Sequence, residues 1–196
     1  MPAFYVLNPL LLRKITNLMR NPVKNYLLLA MTFMALCFSG CMREAPTEWN
    51  VKIGDQMPEF SIKNLNGDGE VSNSSLASQP YVVSIFATWC PPCREELLAL
   101  NESVWKPLKV KGAQVVAVNY GDEDDETIRQ FIAQNGLEFP VLADIAGDLR
   151  TRLGVQMVPQ TVVVGPDGKI LDLHVGVTAA TIDAVYKELQ KATVNK

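Results

Sequence analysis

Two cysteines, Cys90 and Cys93, stand where a predicted strand meets a predicted helix. The preceding run PYVVSIFAT, residues 80–88, is short and apolar, as in a strand that is buried on both faces. From Pro91 onward, apolar residues recur at steps of three and four, which is the spacing of a helix. Since proline is favoured as the first helical residue, the pattern predicts Cys90 as the N-cap and Cys93 about one turn further on.

Strands and helices alternate along the rest of the chain. Residues 58–76 alternate apolar and polar positions around a turn, which predicts an N-terminal β-hairpin. The helix after the cysteines is expected to kink or end near Lys106, because Pro107 follows. The later elements are predicted as strands in AQVVAVNY, EFPVLAD, QTVVVG and ILDLHVG, a helix in DETIRQFIAQNG, and a last helix over about 178–191. This order indicates an α/β fold with a central mixed sheet flanked by helices.

Charge is distributed unevenly along the 196 residues. Four of the 18 Lys and Arg residues lie before Cys41, and the other 14 share the rest of the chain with all 21 Asp and Glu. A domain this acidic is poorly suited to bind phosphate backbones, so nucleic acid is not an expected partner. The acidic run DEDDE, residues 122–126, is interpreted as a solvated loop before a helix and is assigned no function.

The first 41 residues have the pattern of a signal peptide. The basic stretch RNPVKN precedes an apolar run of residues 26–38, which is shorter than the roughly 20 residues that a membrane span needs. The ending FSGC resembles the lipobox of bacterial lipoproteins, which implies lipidation of Cys41; an uncleaved signal anchor is the alternative. The true start could be Met19. Residues 42–56 are predicted to be a flexible tether and residues 57–196 the folded domain, held at the periplasmic side of the cell envelope.

Cysteine count limits the chemistry of the domain. Cys37 lies in the apolar run and Cys41 carries lipid, so only Cys90 and Cys93 remain, with one histidine, His174, far along the chain. Zinc needs four ligands, which these residues do not supply, and no metal or other cofactor is expected. Binding of a soft metal such as Cu(I) by the two cysteines remains an alternative, as does a permanent structural disulfide.

The predicted helix start suits thiol-disulfide exchange. The positive end of a helix favours a thiolate at the N-cap, and the thiolate is the nucleophile. Cys90 is therefore expected to attack a disulfide and Cys93 to resolve the mixed disulfide. Glu96 lies one further turn along the same face, whereas Glu95 is rotated toward solvent. A buried carboxyl at Glu96 could take the proton of Cys93.

The sequence FATWCPPCREE resembles the active site of thioredoxin-like proteins, and is most similar to the TlpA/ResA type of membrane-anchored thiol-disulfide oxidoreductase. The resemblance covers residues 57–191 and implies a thioredoxin-like fold. It includes GVQMVPQTVVVGPDGKI, which is similar to the family segment with a cis-proline beside the cysteines and implies a cis Pro159 after Val158. Ser84 and Leu98 depart from the family pattern, which usually has Asn and Pro there.

The resemblance implies a disulfide-containing protein substrate and an upstream membrane-embedded thiol reductant. The expected substrate-binding residues are Trp89, Pro92, Val158 and Pro159; for Trp89, a place in the core is the alternative. Pro91 and Pro92 have no N–H to stabilise a Cys90 thiolate, which predicts a reductant rather than an oxidant, either in cytochrome c maturation or in general. A peroxiredoxin-like peroxidase is a further alternative, although the chain lacks P-x-x-x-[ST]-x-x-C before Cys90.

Overall fold

The computed structural model describes residues 49–121 and 123–194. A five-stranded mixed sheet lies at the centre, in the order β5-β4-β3-β6-β7, and β1 and β2 form a separate antiparallel pair. The strands are β1 (Ser61–Lys63), β2 (Glu70–Ser72), β3 (Tyr81–Phe86), β4 (Gln114–Asn119), β5 (Val141–Ala143), β6 (Gln160–Val164) and β7 (Ile170–Val175). The helices are α1 (Pro91–Ala99), α2 (Asp125–Asn135), α3 (Asp148–Leu153) and α4 (Ala179–Val194). The predicted mixed sheet, flanking helices and N-terminal hairpin are confirmed.

Strand β3 is the central strand, and every one of its residues is buried. Its alternate side chains enter two different apolar cores, Val82 and Phe86 in one and Val83 and Ile85 in the other. Helices α1, α2 and α4 pack on the first core, while α3 and the N-terminal hairpin pack on the second. The continuous apolar run of β3 is thus explained by cover on both faces of the sheet.

The direction of the strands brings two distant segments to one edge of the sheet. Strand β3 runs parallel to β4 and antiparallel to β6, with Ile85 opposite Gln160. The end of β3, which leads to Cys90, therefore lies beside the start of β6, which follows Pro159. The site is built at this edge.

The helix that follows the cysteines does not end near Lys106. After α1 it continues as a π-helical stretch, Leu100–Trp105, then an α-helical turn, Lys106–Leu108, and a 3₁₀ turn, Lys109–Lys111. Pro107 has no N–H and cannot make the helical hydrogen bond at its position, and the change from π-helical to α-helical turns falls at Lys106, the residue before it. The chain stays helical through Lys111, and Gly112 ends the helix in the left-handed conformation with φ of 85°.

Residues 49–56 pack against the domain, although the sequence predicts a tether there. Trp49 and Val51 contact the second core, the amide of Asn50 donates to the Leu153 carbonyl at 2.9 Å, and that of Gly54 donates to Ile170 at 2.8 Å. The packed chain therefore begins at or before Trp49 rather than near Met57. The rest of the predicted tether and the predicted signal peptide, with Cys41, lie outside the described residues.

Two helices match their predicted signals closely. Helix α2 has Asp124 as its N-cap and stops at Gly136 in the left-handed conformation, as its sequence indicates. Helix α4 begins after Thr178, whose hydroxyl accepts the amide of Thr181 at 3.0 Å, and reaches three residues past its predicted end. Within residues 49–121 and 123–194, no helix is both long and apolar enough to span a membrane.

Candidate active site

Cys90 and Cys93 form a disulfide at the start of α1. Cys90 is the N-cap, as predicted, and its sulfur accepts the amide of Cys93 at 3.2 Å. Pro91 and Pro92 occupy the first two helical positions, so the Cys93 amide is the first helix N–H that reaches the sulfur. Cys90 is 4% exposed and Cys93 is fully buried, so Cys90 is the more accessible residue of the pair.

Pro159 lies beside Cys90 across the edge of the sheet. The Val158–Pro159 peptide bond is cis, as the resemblance implied, and the Val158 carbonyl oxygen lies 3.8 Å from the Cys90 sulfur. The Pro159 carbonyl accepts the amide of Gly176 at 2.9 Å, which holds the segment against the end of β7. The structure therefore brings Cys90 together with Val158 and Pro159, although Cys90 and Val158 are 68 residues apart in the chain.

Glu96 is a carboxyl inside the protein, with only 1% of its surface exposed. It lies on the buried face of α1, one turn after Cys93, whereas Glu95 is exposed as predicted. Burial raises the pKa of Glu96 to about 7, because the charged form loses its water, and hydrogen bonds from Ser84 and Thr161 partly oppose this shift. A carboxyl with this pKa can accept or release a proton near neutrality.

The two hydrogen-bond partners of Glu96 come from neighbouring strands. Ser84 on β3 donates to Oε2 at 2.8 Å, and Thr161 on β6 donates to Oε1 at 2.9 Å. These two residues were not predicted as part of the site. Both could have been found from the sequence as polar residues inside apolar strands, because a buried polar side chain requires a hydrogen-bond partner that is also buried.

Trp89 is 61% exposed, so the alternative that it is a core aromatic is wrong. Met157, the residue before Val158, is 36% exposed, and Pro92 is exposed on α1. Apolar side chains therefore stand at the surface next to both segments that meet at Cys90. Such a surface is suited to contact a protein chain.

The acidic loop before α2 also reaches the site, which the sequence interpretation missed. Glu123 accepts hydrogen bonds from the amide and the hydroxyl of Thr88, two residues before Cys90. Nothing in the run DEDDE distinguishes this glutamate from its neighbours, since the contact depends on where the end of β4 lies relative to β3.

His174, the single histidine, lies on β7 directly opposite Thr161 of β6. Its Nε2 is 3.1 Å from a carboxylate oxygen of Asp172 on the same strand. The described part of the chain contains no group of three or more His, Cys, Asp or Glu side chains placed to bind a metal ion. The histidine thus occupies an ordinary strand position, with an acidic neighbour.

Comparison with known proteins connects this geometry with a chemistry. The model of the AhpC/TSA family matches residues 53–172. Thiol-disulfide oxidoreductase ResA of Bacillus thuringiensis (strain Al Hakam) is 29% identical over 126 residues, which cover 64% of this chain and 71% of ResA. Thiol:disulfide interchange protein DsbE of Vibrio cholerae is 31% identical over 158 residues, 79% of this chain and 83% of DsbE.

A solved structure is similar as well. A Chlorobium tepidum protein assigned as thiol:disulfide interchange protein DsbE superposes with a TM-score of 0.67 and 31% identity. The match covers 73% of this chain and 99% of that protein. Fold and sequence therefore agree, and the resemblance inferred from FATWCPPCREE is confirmed.

Proposed function

Because the chain belongs to the AhpC/TSA family and is a thiol-disulfide oxidoreductase of the ResA and DsbE kind, we propose that it reduces disulfides of protein substrates at the outer side of a bacterial cytoplasmic membrane. The observation that carries the proposed mechanism is the buried carboxyl of Glu96, one helical turn from Cys93, with a pKa of about 7. Cys90 and Cys93 are the proposed redox pair. The substrates are either the cysteines of cytochrome c apoproteins or envelope disulfides more generally.

The proposed reaction begins with the dithiol form of the protein. The Cys90 thiolate attacks one sulfur of the substrate disulfide, forms a mixed disulfide and releases the other substrate sulfur as a thiolate. The Cys93 thiol then loses its proton to the Glu96 carboxylate and attacks the Cys90 sulfur, which releases the second substrate thiolate. Two electrons pass to the substrate, and Cys90 and Cys93 end as the disulfide. A membrane-embedded thiol reductant returns the pair to the dithiol.

Substrate binding is assigned to the surface around Cys90. Trp89 and Pro92 are exposed beside the nucleophile, and Val158 precedes the cis bond to Pro159. We propose that the backbone of Val158 pairs with an extended substrate segment while Trp89 covers apolar side chains next to the substrate cysteine. A substrate chain bound in this way would bring its disulfide to Cys90.

The direction of electron transfer is proposed from the two prolines. An oxidant needs a strongly stabilised thiolate in its reduced form, and backbone N–H groups at the helix start supply that stabilisation. Pro91 and Pro92 remove two of these groups, which leaves the amide of Cys93 at 3.2 Å. Titration in glutathione buffers tests this proposal. A potential near that of strong oxidants, about −120 mV, would contradict it.

The site of action depends on Cys41, in the proposed lipobox. Lipidation there would hold the domain at the membrane surface through the chain between Cys41 and Trp49. Labelling of cells with a fatty acid should mark the parent protein and not Cys41→Ser, and the parent should fractionate with membranes. Label on the Cys41→Ser variant, or none on the parent, would contradict the lipid anchor and leave an uncleaved signal anchor.

Substrate capture tests the proposed exchange directly. Cys93→Ser should accumulate mixed disulfides through Cys90, because the resolving thiol is missing, and these should disappear with dithiothreitol. Cys90→Ser is the matched control, since its remaining thiol is buried. Absence of any mixed disulfide on Cys93→Ser in cells would count against the mechanism. Mass spectrometry of the trapped species would distinguish cytochrome c apoproteins from other clients.

A further inference from the structure

A single carboxylate joins the loop after β4 to the turn that carries Cys90. Oε2 of Glu123 accepts the amide of Thr88 at 2.8 Å and the side-chain amide of Asn119 at 2.7 Å, and Oε1 accepts the Thr88 hydroxyl. The amide and the hydroxyl of Thr88 therefore both donate to the Glu123 side chain. The contact spans 35 residues of sequence.

The loop that supplies Glu123 is itself held against the sheet. Asn119 is 1% exposed at the end of β4, and its side-chain oxygen accepts the amide of Gly121 at 3.0 Å. The amide of Tyr120 donates to the carbonyl of Phe86, the last residue of β3, at 2.7 Å. Gly121 has φ of +103°, and a Cβ there would lie 2.5 Å from the Asp144 carbonyl oxygen, so glycine is required.

Thr88 lies in the short connection between β3 and α1, where it is half-buried between the buried Ala87 and the exposed Trp89. Trp89, the next residue, is 61% exposed. On the other side, Cys90 is restrained in this structure by its bond to Cys93 and by the amide of Cys90 donating to the Ala87 carbonyl at 3.3 Å. Reduction removes the covalent restraint. The bonds to Glu123 remain after reduction, and they connect Thr88 to the end of β4.

We propose that Glu123 is a positioning residue that holds the Thr88–Trp89 turn so that Cys90 stays aligned with Cys93 when both are thiols. This inference rests on the proposed role of Cys90 and Cys93 as the redox pair. Alignment of reacting groups raises the rate and the equilibrium constant of ring closure, because less conformational freedom is lost when the disulfide forms. Glu123 acts through Thr88 and does not contact either sulfur.

The chain offers variants that separate position from charge. In Glu123→Gln, the side-chain oxygen can replace Oε2 and the amide can donate to the Thr88 hydroxyl, so the three hydrogen bonds are retained without the charge. Glu123→Ala removes all three, and Thr88→Val removes the hydroxyl bond alone. Glu126→Ala is the matched control, because Glu126 belongs to the same acidic run, is exposed and accepts from Gln130 instead.

The readout is the equilibrium between the protein disulfide with two glutathione thiols and the protein dithiol with glutathione disulfide. We expect Glu123→Ala to reduce the tendency to form the Cys90–Cys93 disulfide about tenfold, a change of about 30 mV toward a less negative potential. Thr88→Val should lie between Ala and the parent. Glu123→Gln and Glu126→Ala should stay within about twofold of the parent, and the oxidised variants should retain the parent's circular dichroism.

Two results would overturn the inference: a Glu123→Ala equilibrium within twofold of the parent, or an equal loss in Glu123→Gln, which would show that charge and not position matters. Neither result depends on the direction of electron transfer. Failure of the proposed reductase activity would instead appear in the parent, as a strongly oxidising potential or as no exchange with protein disulfides. The same glutathione titration would still rank the variants, so the two failures are distinguishable.

Discussion

Ser84 on β3 and Thr161 on β6 lie directly opposite each other in antiparallel register and donate to the two oxygens of the same carboxyl, that of Glu96. The two hydroxyls supply hydrogen bonds to a buried carboxyl, whose burial without partners would be unfavourable. Because hydroxyl donors favour the carboxylate while burial favours the neutral acid, the pKa of Glu96 lies at about 7 instead of near 4.5.

Replacement of Glu96 by Gln should remove a pH dependence near neutrality. In the parent, the carboxylate that accepts the Cys93 proton forms as pH rises through about 7, so the resolving step should become faster across that range. Glu96→Gln cannot accept this proton, and its resolving step should be slower at pH 7 by about tenfold or more. Stopped-flow measurement of dithiol oxidation by a protein disulfide checks this. Equal rates for variant and parent from pH 6 to 9 would exclude the role.

The same carboxyl should make the protein less stable at higher pH. The folded pKa of about 7 lies above the unfolded value of 4.5, so the unfolded chain ionises first and stability falls as pH rises between these values. The contribution of this group is up to about 3 kcal/mol. Urea unfolding of the oxidised protein should show Glu96→Gln more stable than the parent at pH 8, and least different from it at pH 4. A parent-minus-variant difference that is constant with pH would contradict this.

Ser84→Ala should shift the pH dependence of the resolving step to higher pH. The Ser84 hydroxyl stabilises the charged form of Glu96, so its loss raises the pKa of that carboxyl further. We expect the midpoint of the resolving rate to move to higher pH by about one pH unit. Ser103→Ala, an exposed serine in the π-helical stretch, is the control and should leave the midpoint unchanged. A downward shift in Ser84→Ala would reverse the assigned sign.

Pro92→Ala should make the redox pair more oxidising. Residue 92 is the second helical position, whose restored N–H can donate to the N-cap sulfur of Cys90 and stabilise the thiolate. A single such bond is expected to raise the potential by about 30 mV. Pro91→Ala restores an N–H at the first position, which does not point at the cap side chain, and serves as the control. Glutathione titration of both variants separates them, and an equal response would argue against the amide explanation.

Trp89→Ala should weaken recognition of protein substrates and leave small disulfides unaffected. The side chain is 61% exposed next to Cys90 and adds apolar contact area for a protein chain. We expect kcat/KM for a protein disulfide to fall about tenfold, with the rate for oxidised glutathione unchanged within about twofold. Val110→Ala, at a position that is 83% exposed away from the site, is the control. A parallel loss with both substrates would indicate damage to Cys90 chemistry instead.

Local sequence determined the position of several helices, strands and caps of this protein. Hydrophobic runs, helical spacing and capping residues depend on neighbours within a few positions, so β3, α2 and the N-cap position of Cys90 follow from the sequence read along the chain. The same periodicity separates buried Glu96 from exposed Glu95. The cis bond before Pro159 required family resemblance, since a proline alone is rarely cis.

The tertiary structure decided which distant groups meet. Thr161 and Glu96 are 65 residues apart, Thr88 and Glu123 are 35 apart, and both contacts depend on the pairing of strands around β3. Nothing within the run DEDDE singles out Glu123, and no local pattern shows that residues 49–56 pack on the domain. A buried carboxyl acquires its pKa from the groups that enclose it, and those groups are chosen by strand order and register, which arise only when the whole sheet has formed.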